Sequence, residues 1–102
     1  MPDVLDAASR EMTANAAWYE ERRSGYGTLF VDEVVELFNL LDRSPLVGPT
    51  WTLEGVPPGV RHLVLQTFPV SIVYVTEPRV VVVAFVGSQN PLFWIDRLGE
   101  FR

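Results

Sequence analysis

Val80 to Val86 is an unbroken apolar run, Val-Val-Val-Val-Ala-Phe-Val. Successive side chains on a strand point to opposite faces. Val80, Val82, Ala84 and Val86 therefore share one face, and Val81, Val83 and Phe85 the other. A strand that is apolar on both faces belongs inside a fold with both faces covered. Left open, such a run is an aggregation hazard. The run is far shorter than the roughly 20 residues a helix needs to cross a bilayer. The rest of the chain must therefore supply two covers for one central strand.

One cover is legible in the first half. From Leu5 to about Arg23, apolar residues recur at Leu5, Ala8, Met12, Ala16 and Tyr19, the spacing of one helical face. Ser24-Gly25-Tyr26-Gly27 breaks the helix, since two glycines in three positions supply the positive φ of a tight turn. A second helix is predicted from about Thr28 to Asp42, with Phe30, Val34, Leu37 and Leu41 inward and Asp32, Glu33 and Glu36 outward. The short turn makes the pair an antiparallel hairpin. Residues 44–59 hold four prolines and three glycines and read as an irregular crossing segment, with Trp51-Thr52-Leu53 as a short strand within it.

Val60 to Gln66 and Val70 to Thr76 precede the apolar run, separated by breaks at Thr67-Phe68-Pro69 and Glu77-Pro78-Arg79. Short connections imply an antiparallel meander. The predicted fold is α+β: an N-terminal antiparallel helical hairpin packed on an antiparallel sheet, closed by a short C-terminal helix or turn from Pro91 to about Leu98. The hairpin covers one face of the last strand. The other needs the C-terminal segment, a second protein or self-association.

The 102 residues make one domain, with a formal net charge of -5. Residues 1–51 carry four arginines against nine acidic residues, so the acidity sits in the hairpin half. The basic footprint of a non-specific nucleic-acid binder is missing. There is no cysteine, which removes disulfides, thiolate metal sites and cysteine nucleophiles together. All eight cations are arginine, so lysine chemistry is excluded as well. The N-terminus shows no charged-then-apolar leader pattern, and a cytoplasmic location is expected.

Local candidates for chemistry are few. Gly25-Tyr26-Gly27-Thr28 follows a helix rather than a strand and lacks a P-loop lysine, so it reads as a helix turn. His62, the only histidine, has no companion at a spacing that makes a triad or dyad. Arg61, Arg79, Arg97 and Arg102 all lie in the sheet-bearing half, either as scattered surface charges or converging as a clamp for phosphate or carboxylate. Trp94-Ile95-Asp96-Arg97 sets an aromatic beside a cation, either for stacking on a base or packing on a partner, or for closing the core with Phe93. Glu20, Glu21, Asp32, Glu33 and Glu36 read as the wet faces of the two helices, not as a metal cluster.

Several of these segments together resemble the RelE/ParE superfamily of bacterial type II toxin-antitoxin toxins, over nearly the whole chain. They are Ala17-Trp18-Tyr19-Glu20-Glu21 with Gly25-Tyr26-Gly27 and Phe30, then Pro45 with Gly48-Pro49. Val60-Arg61, Leu65, Phe68-Pro69, Ile72 and Tyr74 follow, and then Val82-Val83-Ala84-Phe85, Pro91, Trp94 and Arg97. The resemblance implies a compact α+β toxin held inactive by an extended antitoxin that wraps it, as a hetero-oligomer without cofactor or metal.

Within that superfamily, RelE-like members cut messenger RNA on the ribosome with basic side chains, and ParE-like members are associated with inhibition of DNA gyrase. The first group's lysines have no counterpart here. Ser88-Gln89-Asn90 also lacks the histidine and arginine common before the Pro-x-x-Trp motif, and His62 and Val70 stand where arginine and tyrosine are frequent. The ParE-like branch is favoured, with Arg61, Trp94 and Arg97, and more weakly Arg79 and Arg102, as the target-binding residues. Arg61, His62 and Tyr74 are the catalytic candidates of the nuclease alternative. A degenerate homologue that only binds an antitoxin is the third reading. The chain also leaves little room for the strand that usually precedes the first helix.

Overall fold

A computed structural model describes residues 2–87 and 92–100. The elements are β1 (Asp3–Val4), α1 (Asp6–Arg22), α2 (Tyr26–Arg43), β2 (Val60–Val64), β3 (Ser71–Val75), β4 (Val81–Val86) and a 3-10 helix at Ile95–Glu100. β2, β3 and β4 form the expected antiparallel meander. The sheet order is β1-β4-β3-β2, with β1 parallel to β4, so the four-stranded sheet is mixed rather than wholly antiparallel. Two residues are room enough for the N-terminal strand, because Asp3 and Val4 pair with Val81 and Val82 and the Leu5 N–H then donates to the Val82 carbonyl.

The hairpin turn follows from its glycines. Gly25 has φ +90° and caps α2 in the left-handed region that L side chains avoid. Gly27 lies where the helices touch, and a Cβ there would sit 2.7 Å from the Ala16 carbonyl oxygen. The first N–H groups of α2 have no intrahelical partner. Glu20 of α1 supplies one, accepting from Gly25 at 3.0 Å and from Gly27 at 3.0 Å. A carboxylate at a helix N-terminus also complements the helix dipole. Glu20 is thus a structural cap and not only part of a wet face.

Two apolar clusters cover the sheet. On the hairpin side, Phe30, Val34, Phe38 and Leu41 of α2 meet Ile72, Tyr74, Val82 and Phe85. Phe38 takes the inward place that simple spacing assigns to Leu37, which is only partly buried. On the far side, Val73, Val75, Val81, Val83, Ala84 and Val86 meet Trp94 and Leu98, with Trp51 and Val56 alongside. The C-terminal segment therefore supplies the second cover, within the chain itself.

Strict alternation along β4 fails at one point. Val73 pairs with Ala84 and Tyr74 with Val82, so Val83 has no opposite residue and forms a bulge. Val83 and Ala84 consequently both face the C-terminal segment, while Val82 and Phe85 face the helices. The crossing segment also differs from expectation. Trp51-Thr52-Leu53 forms no strand; a single bridge joins Thr50 to Arg61, and the Trp51 N–H donates to the Val60 carbonyl.

Trp94 is fully buried, whereas Trp18 on α1 is 51 % exposed. Trp94→Ala is expected to lower unfolding stability by about 3–5 kcal/mol, the range for emptying a buried aromatic site. Trp18→Ala is expected to stay within about 1 kcal/mol. Urea denaturation of both variants, with the m-value checked for two-state behaviour, tests the contrast.

Candidate functional site

The outer edge of β4 is shared between two kinds of partner. β1 covers it only as far as Val82. Beyond that, Glu11 of α1 accepts the Phe85 N–H at 3.0 Å, and Arg97 of the 3-10 helix donates to the Val83 carbonyl at 3.1 Å. The two side chains meet in a paired contact, Nη1 to Oε1 at 3.0 Å and Nη2 to Oε2 at 2.6 Å. Their side chains are only 19 % and 20 % exposed, so the pair is shielded from much of the solvent that weakens surface bridges. The Arg97 guanidinium also lies 5.0 Å from the centre of the Phe93 ring. Arg97 therefore has the edge of β4, Glu11 and Phe93 around it, and Glu11 is a residue that local spacing did not single out.

A second clasp joins β2 and β3 to the crossing segment. Arg61 pairs with Tyr74 in register, which puts both side chains on the hairpin side of the sheet. Arg61 donates to the Gly48 carbonyl at 2.7 Å and to that of Leu46 at 3.2 Å. The Tyr74 hydroxyl donates to the Pro45 carbonyl at 2.9 Å and accepts from the Gly48 N–H at 2.9 Å. Gly48 must be small: a Cβ would lie 2.7 Å from that hydroxyl. Burial raises the Tyr74 pKa above its ordinary 10.0, opposed by the Gly48 N–H and by the positive charge of Arg61.

His62 points the other way, as strand alternation requires. Its ring lies 5.2 Å from that of Trp51, and Trp51 in turn stacks at 5.8 Å on Trp94. Burial lowers the His62 pKa below its ordinary 6.5. Arg61 and Tyr74 thus come together on one face of the sheet, and His62 lies on the opposite one. Trp94 is a core residue beneath Trp51. Arg79 forms an exposed ion pair with Asp3 near the start of β4. Among the described residues Arg61, Arg79 and Arg97 do not converge, since each has separate partners; Arg102 lies outside the described residues, as do Ser88, Gln89, Asn90 and Pro91.

Two further features were not legible from spacing. Glu33 turns toward the sheet, where its Oε1 accepts the N–H groups of Gln66 at 3.0 Å and Thr67 at 3.1 Å. At the tip of the hairpin, the Arg22 guanidinium lies 3.4 Å from the Trp18 ring centre and that of Arg23 lies 4.8 Å from the Tyr26 ring centre. Arginine and aromatic side chains dominate binding hot spots, so this tip has the composition of a contact surface. No group of three or more acidic or histidine side chains suited to a metal ion occurs among the described residues. No helix among them is long and apolar enough to cross a membrane.

No protein-family model matches the chain, and no curated protein does. Among solved structures, the chain is similar to one described as "Chromosomal ParDE TA system from P. aeruginosa". The TM-score is 0.66 at 21% identity, covering 81% of this chain and 89% of the other. At that identity the likeness is one of fold.

Removing one member of a shielded ion pair leaves the other charge and its backbone partner unsatisfied. Arg97→Met is therefore expected to destabilise by about 2–4 kcal/mol, and the Glu11→Leu/Arg97→Met double variant by less than the sum of the single ones. Thermal or urea unfolding of the full double-mutant cycle checks this. For His62, a folded pKa below the unfolded value means that its contribution is present above about pH 6.5 and is lost as pH falls through the folded pKa. An NMR titration of the His62 ring is expected to give a midpoint below 6.5, and His62→Gln is expected to flatten the corresponding acid limb of stability.

Proposed function

We propose that this chain is the toxin component of a type II toxin-antitoxin module, of the ParE-like kind. In this reading it arrests growth by binding DNA gyrase in the cytoplasm and is neutralised as a hetero-oligomer with a cognate antitoxin. The observation that carries the reading is the fold, shared over 81% of this chain with a chain of a ParDE system. Of the motifs that resemble the RelE/ParE superfamily, Ala17–Glu21 and Phe30 fall on the helical hairpin, and Val60-Arg61, Ile72, Tyr74 and Val82–Phe85 on β2, β3 and β4, which gives a second line of support.

Binding is favoured over RNA cleavage by the placement of the candidate residues. General acid-base chemistry on a phosphodiester needs its groups within reach of one reacting atom. His62 lies on the opposite face of the sheet from Arg61 and Tyr74, and those two are engaged with residues 45–48. Arg79, two residues before β4, is the most open of the described target-binding candidates. Arg61 and Arg97 act from partly buried positions, and Trp94 acts by holding Trp51 in place.

Controlled induction of the chain alone in a bacterial host is expected to stop growth, and the purified protein is expected to inhibit gyrase supercoiling of a plasmid while leaving messenger RNA intact in a translating extract. An Arg79→Ala variant, matched for soluble level, is expected to weaken both effects. Cleaved messenger RNA that disappears with Arg61→Ala would replace this reading with a ribosome-dependent endoribonuclease. Soluble protein without any effect on growth would leave a module that only binds an antitoxin.

A further inference from the structure

Between α2 and the end of β2 runs a groove of about 530 Å³, lined by Glu33, Glu36, Leu37, Leu40, Arg43 and Val64. Three observations define what fits it. The first is an open sheet edge. β2 is the terminal strand of the sheet, and residues 49–51 occupy its outer side at Val60 and His62, through Trp51 N–H to Val60 O and His62 N–H to Pro49 O. By strand alternation the N–H and C=O of Val64 face the same way. No bridge covers them among the described residues, and the Val64 side chain is an exposed large hydrophobe at 57 %.

The second observation is an acceptor without a donor. Glu33 Oε1 is saturated by two backbone N–H groups of the β2–β3 turn, but Oε2 is buried and has no hydrogen-bond partner among the described residues. Such an atom bears its full desolvation cost until a donor arrives. The third is the character of the walls. Leu37, Leu40 and Val64 give them an apolar stripe beside the polar Asn39 and Gln66, and Glu36, one turn after Glu33 on the same helix, adds a second carboxylate. Arg43, at the C-terminal end of α2, is the groove's one lining cation.

We propose that this groove seats an extended segment of a partner protein that carries alternating apolar residues and an arginine. The segment adds as a short strand against Val64, lays its apolar side chains on Leu37 and Leu40, and donates from the guanidinium to Glu33 Oε2. Strand addition supplies main-chain hydrogen bonds, and the buried carboxylate supplies selectivity for a cation. Arginine suits the site better than lysine because its planar fork donates in two directions at once, toward Glu33 and toward Glu36. The inference rests on reading the chain as one half of a two-protein module, and it assigns the chemistry of the antitoxin segment that docks here.

The test uses the full chain labelled with nitrogen-15 and a synthetic peptide, acetyl-Val-Ile-Val-Arg-Val-Thr-Val-amide. Saturable amide shifts centred on Val64, Gln66 and the Glu33–Leu40 stretch are expected. A peptide with citrulline for arginine keeps the shape without the charge and is expected to bind about tenfold more weakly, the scale of a charge-assisted hydrogen bond. A peptide N-methylated at alternate residues is expected not to bind.

Glu33→Gln retains an acceptor for Gln66 and Thr67 but sets an amide donor where Oε2 was, and is expected to match the citrulline loss. Should that variant fail to fold, the citrulline comparison on the wild-type chain still decides. Equal affinity for the citrulline peptide, shifts mapping elsewhere, or no binding would overturn the assignment. Concentration-dependent dimerisation through Val64 would overturn it too, by making a second copy the occupant. Growth arrest without peptide binding would sink the groove and leave the toxin reading standing; peptide binding without arrest would do the reverse.

Discussion

Among the described residues no strand covers the outer side of the far half of β4, and an ion pair stands in for one. Glu11 accepts the Phe85 N–H, Arg97 donates to the Val83 carbonyl, and the two close on each other. An exposed strand edge invites pairing with other chains, and covering it with charged side chains prevents that. The same contact fixes the rest of the molecule. Glu11 is on α1, which packs on the sheet's first face, and Arg97 is on the 3-10 helix that carries Leu98 and follows Trp94 onto the second. One salt bridge thus ties the two covers of the doubly apolar strand to its edge. The bulge at Val83 belongs to this arrangement, because it turns both Val83 and Ala84 toward the segment that Arg97 anchors.

Acidic side chains of the hairpin repeat that device elsewhere. Glu20 accepts from the opening N–H groups of α2, and Glu33 accepts from the turn between β2 and β3. Each reaches from a helix to a backbone segment whose donors have no partner in regular structure. Part of the negative charge of the first half is therefore structural, and the arginines of the second half are its counterpart in kind. Arg61 holds carbonyls of the crossing segment as Glu20 and Glu33 hold amides.

Much of the architecture was legible because it is written in local periodicity. The spacing at Leu5, Ala8, Met12 and Ala16, the glycine break, and the doubly apolar Val80–Val86 run each specify an element and what must cover it. The errors arise where one residue shifts a phase. Phe38 rather than Leu37 turns inward, and Val83 bulges, and neither event changes the composition of its segment. The sequence leaves little room for the strand before α1, yet β1 forms there, and two residues are too few to show a period. The site was less legible for a different reason. Glu11 and Arg97 lie 86 residues apart in sequence, so no spacing rule joins them. The sequence likeness singled out Trp94 and Arg97 as target-binding residues, while the structure places one in the core and the other on a sheet edge.

The edges of the sheet also explain where a partner has room. At one margin β1 is two residues long and carries Asp3, paired with Arg79, so charge guards it. The adjoining length of β4 is closed by Glu11 and Arg97. At the opposite margin, residues 49–51 shield β2 through His62 and go no further. Val64 is left with an apolar side chain in solvent, next to a carboxylate oxygen that folding has buried without a donor. Along the far half of β4 the chain meets its open backbone groups with its own charges. At Val64 and Glu33, Arg43 lines the groove, but no described residue bonds Glu33 Oε2 or pairs with the outward edge of Val64, and a donor and a strand are the two things an extended, arginine-bearing segment brings.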